Sequence, residues 1–540
     1  MTTVRRLARA ATIALIACGA SAALANVQSV ARDVAPAAVS PQRLELQRLY
    51  PDAAPLWLDA SGQVTGNARD AIALLTDSAS DGLDPTAYGV ASLASRAAGL
   101  SGASPEARLA WDVELSLAML RYLRDLHFGR VDPRALGFRV SPPRAEVHDI
   151  VAMLAAAVAT GRVAQLAAEL APPLLQYREL RDSLGRYRRI AQDSPATSLG
   201  VPKASVRVGE PYADLGALRE RLVVLGDLPA GTPLAAAASY DAALAAGVAQ
   251  FQARHGLATD GVLGKSTLAE LNVPIADRVA QLGFALERMR WLPHPDGRRI
   301  VAINIPMFRL WAWNDDARGA KPALGMDVIV GRALKTQTPV FSDEMRYLVF
   351  RPYWNVPRSI VRNETLPAIA RDPGYLAKNN MEIVQGESDA ARVLPTTPDS
   401  IAMLRDGVAR VRQRPGPTNS LGLVKFIFPN DANIYLHSTP AKSLFERSRR
   451  DFSHGCVRVA DPVVLAAWLL KDQPQWTRER IVAAMDESYS LHVNLTQPVP
   501  VLLYYVTAMV SPEDGSLHFA ADIYGHDARL ARALAALRDQ

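Results

Sequence analysis

Apolar residues recur at three- and four-residue spacing from about residue 40 to 192, the period of helices that bury one face. The pattern is clearest in "SPEARLAWDVELSLAMLRYLRDLHFGR" from Ser104 and in "EVHDIVAMLAAAVATGRVAQLAAEL" from Glu146. It resumes in "PPLLQYRELRDSLGRYRRIAQ", behind a proline pair suited to a first helical turn. A Ser-, Pro- and Gly-rich stretch from Asp193 reads as a linker. Beyond it, "LGALRERLVVLGDL" and "YDAALAAGVAQFQARHGLATDGVLGKSTLAELN" predict two amphipathic helices, a turn at Asp260 and Gly261, and a short helix begun by Gly264 and Thr267. From about Arg298 the period falls to two. "RRIVAINIPMFRLWAWN", "ALGMDVIVGR", "EMRYLVFRPYWNVP", "LVKFIFPNDANIYLHS" and "SLHVNLTQPVPVLLYYVTAMV" read as strands parted by turn residues. A polar, helix-leaning insertion at about 358–415 interrupts them and is suited to cover a site as a lid.

These patterns predict an α+β multidomain chain. A helical scaffold spans 40–200, a three-helix module 208–273, and a β-rich domain 296–510 with an inserted helical cap, before a C-terminal strand and helix at 511–540. A length of 540 residues agrees, at roughly 150 residues per domain. The net charge of +6 is scattered, without a basic tract, which argues against nucleic acid and leaves room for a carboxylate-bearing substrate. The opening "MTTVRRLARAATIALIACGASAALANVQSV" has the layout of a secretory signal over 1–25, with Arg5, Arg6 and Arg9 ahead of an apolar run and "ALA" before Asn26. That run is shorter than the ~18 residues of a spanning helix. "LIACG" also resembles a lipobox that would make Cys18 a lipid anchor, but the apolar run continues past Cys18, which favours cleavage before Asn26. An uncleaved anchor is the third reading. All three export the chain, and the expected compartment is the periplasm.

Removal of the signal leaves Cys456 as the lone cysteine, with no partner for a disulfide. It sits in "SHGCVR", and thiol chemistry requires the thiolate. His437, His454 and Arg458 are the groups that would favour it. Gly455 can bring backbone close to a substrate, and the N–H groups of Gly455 and Cys456 could hold an oxyanion. His437, at a strand end, is the candidate base, with the Ser438 carbonyl to orient its ring. A buried structural cysteine would leave this neighbourhood unexplained. A metal site from His437, His454 and Cys456 lacks a fourth ligand and the paired cysteines of structural zinc sites. His127 and His148 read as surface or satisfied core histidines. Arg447, Arg449 and Arg450 of "LFERSRR" read as a solvated face.

Two resemblances follow from these residues. Phe251, Gln252, His255, Gly256, Leu257, Asp260, Gly261, Gly264 and Thr267 match the three-helix peptidoglycan-binding module of cell-wall enzymes, where most of them serve the fold. His437 with "SHGCVR", supported by "VIVGR", "YWNVP", "RPGPTNSLGLVKFIFPN" and "IYLHSTP", resembles the signature of the L,D-transpeptidases, and the domain order resembles their large, capped subgroup. Many smaller members end the signature in Asn where this chain has Arg458.

The resemblance implies that Cys456 forms a thioester with the third residue of a donor tetrapeptide stem and releases D-Ala. His437 would then activate an acceptor amine to give a 3→3 cross-link. Tyr435, Ser453, His454 and Arg458 would line the site, with Trp354 and Asn419 as further candidates to contact the substrate. No cofactor or metal is implied, and β-lactams of carbapenem type are the implied inhibitors. Hydrolysis of stem peptides by the same site, as an L,D-carboxypeptidase, and a non-catalytic peptidoglycan-binding scaffold are the competing expectations.

Overall fold

The computed structural model describes residues 40–538 apart from 52–53, 141–147, 194–197, 233–238, 294–296, 315–320 and 335. The signal segment and Cys18 lie outside the described residues. Helices at Gly66–Asp77, Val90–Ala97, Pro105–Phe128, Ile150–Thr160 and Val163–Leu170 pack around Trp57, Trp111, Leu115 and Leu154. Ser104 caps the longest of these by accepting from the Ala107 N–H, with Pro105 at its first position, where no N–H is needed. His127 is buried against the Leu170 carbonyl at 2.8 Å and edges onto His148, so both histidines are part of this packing. No helix of the described residues is long and apolar enough to cross a membrane.

Helix Leu175–Asp193 leaves this bundle and packs along Ile275–Met289, and a buried polar network fixes the two. Glu287 has no exposed side-chain surface; it accepts from the Arg130 and Val131 N–H groups and pairs with Arg290 at 3.0 Å. Arg290 donates to Tyr177 Oη at 2.9 Å and to the Asp81 carbonyl. Buried charges survive only when compensated this fully.

The intervening module has helices at Leu215–Leu225, Ala242–Arg254 and Lys265–Leu271. Gln252 spans its turn, donating to Asp260 Oδ1, the Val262 carbonyl and Thr267 Oγ1 while accepting from the Gly261 N–H. His255 stacks between Phe251 and Phe519, and Arg254 donates to Asp227 and to the Leu517 carbonyl. The module residues therefore serve the fold, and they also dock the module on the C-terminal strand Leu517–Phe519.

The β-rich part is a sheet closed on itself. Its strands are β1 (Ile300–Asn304), β2 (Arg309–Trp313), β3 (Leu324–Gly331), β4 (Phe341–Phe350), β9 (Val424–Ile427), β10 (Leu436–His437), β11 (Asp451–Ser453), β12 (Val457–Val459) and β13 (Leu491–Tyr504). The order is β11-β3-β12-β10-β9-β4-β13-β1-β2, and β2 pairs back with β3. Val328, Val330, Leu348, Phe426, Leu436 and Val457 fill one face of it.

The insertion carries more than helices. Strands β5 (Trp354–Asn355), β6 (Met381–Gln385), β7 (Arg392–Leu394) and β8 (Arg410–Gln413) form a separate sheet, order β5-β8-β6-β7, flanked by helical segments between Arg358 and Arg371 and at Pro398–Asp406. Its polar composition hid the alternation, because short strands in a small subdomain bury only one face. Its core of Val356, Ile369, Leu376, Ile383 and Val411 is distinct from the main core.

Glu287→Gln leaves the buried Arg290 guanidinium short of its carboxylate. We expect a loss of about 3 kcal/mol in urea unfolding, the scale for one partner removed from a buried pair.

Candidate active site

The ladder places the candidate groups. β10 pairs in parallel with β12, Leu436 opposite Val457 and His437 opposite Arg458. On its other side β10 pairs antiparallel with β9, His437 opposite Lys425. Partners in register share a face, and so do residues two apart along a strand. Leu436, Val457 and Phe426 face the core and are fully buried. Lys425, Tyr435, His437 and Arg458 therefore share the opposite face, and the Val457 N–H to Tyr435 carbonyl bond of 3.1 Å carries the register back to Cys456. Sulfur and imidazole are thus borne by diagonal neighbours on one face.

The loop holding Cys456 is pinned at every polar atom of its glycine. Gly455 has φ +118°, a region open to glycine alone in practice. An added Cβ would find ordinary contacts at 3.5 Å, so conformation rather than space requires glycine here. The Gly455 N–H donates to Ser453 Oγ at 3.1 Å, Thr338 Oγ1 donates to the Gly455 carbonyl at 2.7 Å, and Ser453 Oγ donates to the Cys456 carbonyl at 2.6 Å. Two expectations change as a result. Ser453 is a buried brace of the turn rather than a lining group, and the Gly455 N–H is already engaged instead of free for an oxyanion.

His437 is buried, and its Nδ1–H donates to the Ser438 carbonyl at 2.5 Å, as expected from the sequence. That bond makes Nδ1 the protonated nitrogen of the neutral ring and puts the lone pair on Nε2. Burial, helped by the positive Arg458 and Lys425 and opposed by the Ser438 and Leu421 carbonyls, pushes the imidazole down to about 3. Ser438 is held from below by Gly422, where any side chain would meet Ser438 Oγ at 2.5 Å.

Cys456 is partly exposed, and its thiol donates to the Asn433 carbonyl at 3.7 Å. Burial raises the thiol above its ordinary value, and the Tyr435 N–H and hydroxyl, Lys425 and Arg458 pull it back only in part. The thiolate expected from the sequence is therefore not the resting form. Both groups rest neutral.

His454 does not join them. Its Nε2 meets Glu364 Oε1 of the cap at 2.9 Å, two residues from the cysteine but turned away from it. Trp354 packs on the cap core. Asn419 is buried and fully committed, donating to the Pro352, Gln413 and Arg414 carbonyls and accepting from the Leu421 N–H, so it ties the two ends of the cap together. Arg450 is not solvated either: it pairs with Asp327 at 2.9 Å and lies over Phe308. Arg449 is exposed, as expected, and pairs with Asp451.

Sequence reasoning missed Lys425, Asn433 and Glu364. Lys425 was legible as a cation inside an alternating strand. Asn433, at φ +53°, aims its carbonyl at the thiol, and its only signal was the turn-rich "PNDAN".

Comparison with known proteins agrees with this geometry. Residues 298–482 match a family model described as "L,D-transpeptidase catalytic domain". The chain carries an L,D-transpeptidase domain. Residues 45–184 match a "Scaffold domain", and 212–271 a "Putative peptidoglycan binding domain". A Haemophilus influenzae protein titled "Putative L,D-transpeptidase" is 33% identical over 250 residues, 46% of this chain and 48% of its own length. The chain thus spans about half of that relative.

His437 binds a proton more weakly folded, at about 3, than at its ordinary 6.5. Its contribution to stability is therefore present above 6.5 and lost as pH falls through 3. His437→Gln should lose less stability than the parent between about pH 7 and about pH 4.5, measured by urea unfolding at both. Equal losses would contradict a buried neutral imidazole.

Proposed function

We propose that this L,D-transpeptidase domain forms 3→3 cross-links in peptidoglycan through a thioester on Cys456. The observation that carries the reading is the common face of Cys456, His437 and Tyr435, set by the β10–β12 register, with the His437 ring oriented by its Nδ1–H on the Ser438 carbonyl. The thiol proton passes to Nε2 as sulfur attacks the carbonyl of the stem's third residue. The oxyanion is held by the Cys456 N–H, which has no acceptor among the described residues, and by the Tyr435 hydroxyl. Collapse breaks the C–N bond, and D-Ala leaves with the proton from the imidazolium. The side-chain amine of a second stem then attacks the thioester, gives its proton to His437, and restores the thiol.

Lys425 and Arg458, whose charges reach the sulfur, and Arg332, whose charge reaches Arg458, face no carboxylate within hydrogen-bonding distance among the described residues. They suit a substrate that brings its own carboxylates. The module would raise the local concentration of an insoluble wall substrate. Export to the periplasm by the N-terminal segment completes the reading. The acylating thiol would also be the point of attack for carbapenem-type β-lactams.

Water competes with the amine for the thioester, so hydrolysis is the second reading, and the cap bears on the ratio. His454 and Glu364 close the cap against the nucleophile loop.

Incubating the protein with tetrapeptide substrate and weighing the products separates dimer from tripeptide. Cys456→Ala should make neither while still binding sacculi; dimer formed by that variant would end the assignment. Glu364→Ala, which frees the cap, should raise the share of tripeptide by about threefold, roughly the loss of one exposed pair. An unchanged ratio would remove the cap from water exclusion.

A further inference from the structure

The neutral resting pair leaves a question that His437 cannot answer. An imidazole displaced to about 3 is not a standing countercharge for sulfur, so the charge that lets the thiolate form has to come from elsewhere. Lys425 is placed for it. It lies directly across the ladder from His437, on the same face as Cys456. Its ammonium sits 3.9 Å from the centre of the Tyr435 ring, close enough for a strong cation–π contact. No carboxylate or carbonyl accepts a hydrogen bond from it among the described residues. Strand β9 otherwise alternates toward the core through Val424 and Phe426, so a lysine here is not needed for packing.

We propose that Lys425 is a positioning residue for ionisation at Cys456, acting across the sheet on the sulfur and through the Tyr435 ring on the phenol that faces it. A cation on a π face withdraws electron density from the ring, which makes the hydroxyl a stronger donor. That donor serves two successive anions: the thiolate as the proton leaves for Nε2, and then the oxyanion as the carbonyl is attacked. Burial lowers this ammonium from its ordinary value, and the Cys456 sulfur and Asp389 pull it back up, so the lysine and the sulfur favour each other's charged forms.

The charged and titratable groups around the sulfur are distributed unevenly. Arg458 on β12 and Arg332 beyond β3 are guanidiniums, and Tyr435 and His437 are on β10. The Cys456 sulfur and Asp389 of the cap both act on Lys425 and raise it against burial. His454 is engaged with Glu364. Arg458 is the natural rival to Lys425, but no aromatic ring links it to the phenol, so the two make different predictions for Tyr435.

The proposal rests on Cys456 being the nucleophile, but its test does not. In the full chain, the rate of iodoacetamide alkylation at the Cys456 peptide is followed by mass against pH. Parent, Lys425→Met, Lys425→Arg, Tyr435→Phe and Lys425→Met/Tyr435→Phe are compared. Lys425→Met should move the alkylation midpoint up by about one unit, so that alkylation at fixed pH below both midpoints slows about tenfold. Lys425→Arg should restore most of it. With Tyr435→Phe already present, the Lys425→Met effect should shrink, because half of its route is gone. Retained melting temperature and retained sacculus binding separate these shifts from misfolding. An unmoved midpoint in Lys425→Met overturns the proposal, as does an arginine variant that behaves like methionine. Cross-linking by Cys456→Ala would sink the enzymatic reading yet leave the alkylation result standing.

Discussion

A parallel contact between two very short strands sets the chemistry of this domain. β10 and β12 touch over two residue pairs, and a parallel pair requires a crossover between its strands. The crossover runs from Ser438 to Cys456 and carries β11 back along β3 before the chain turns at Gly455. Shifting either strand by one residue would send Cys456 or His437 into the core and bring Leu436 or Val457 out. The buried leucine and valine therefore fix the register, and the register fixes which groups meet the substrate. Packing energy is spent on one face to secure geometry on the other.

The turn at Gly455 is the second constraint. A backbone at φ +118° is maintained only where its surroundings over-determine it, and the hydroxyls of Ser453 and Thr338 do so from both sides. Conserving both peptide polar groups of the glycine costs the site one possible oxyanion donor. It gains a cysteine whose own N–H has no acceptor among the described residues. Asn433 completes the arrangement by accepting from the thiol. A bond of that kind favours the protonated sulfur, in the same sense as burial.

Much of the site was legible in the chain, and the reason differs by residue. Cys456, His437, Gly455 and the Ser438 carbonyl lie close together in sequence or depend on strand ends, so local rules reach them. Ser453, His454 and Asn419 are polar residues whose roles the sequence left open: Ser453 turns onto the Gly455 N–H and Cys456 carbonyl of its own loop, while His454 and Asn419 find partners far along the chain in Glu364 and Pro352. Spacing cannot say which polar neighbour points at substrate and which braces the backbone. The helical scaffold and the closed sheet follow from periodicity over long segments. The cap sheet does not, because β5 and β7 are two and three residues long and carry no period to read.

The resting neutrality of thiol and imidazole follows chiefly from burial, with Arg458 and Lys425 also disfavouring the imidazolium, and it constrains how such a site is used. A thiolate held permanently would be open to oxidation, since the oxidation ladder begins at the ionised sulfur. A protonated thiol next to a free imidazole lone pair avoids that and still ionises when an electrophilic carbonyl arrives, because proton transfer and attack then share one barrier. The energetic requirement moves from storing a charge to accommodating one briefly. Fixed cations with no carboxylate bonded to them meet it best, because no internal ion pair has to break first. Among the described residues Lys425, Arg458 and Arg332 meet that condition, and of the three Lys425 lies over the Tyr435 ring, whose hydroxyl acts on the Cys456 sulfur.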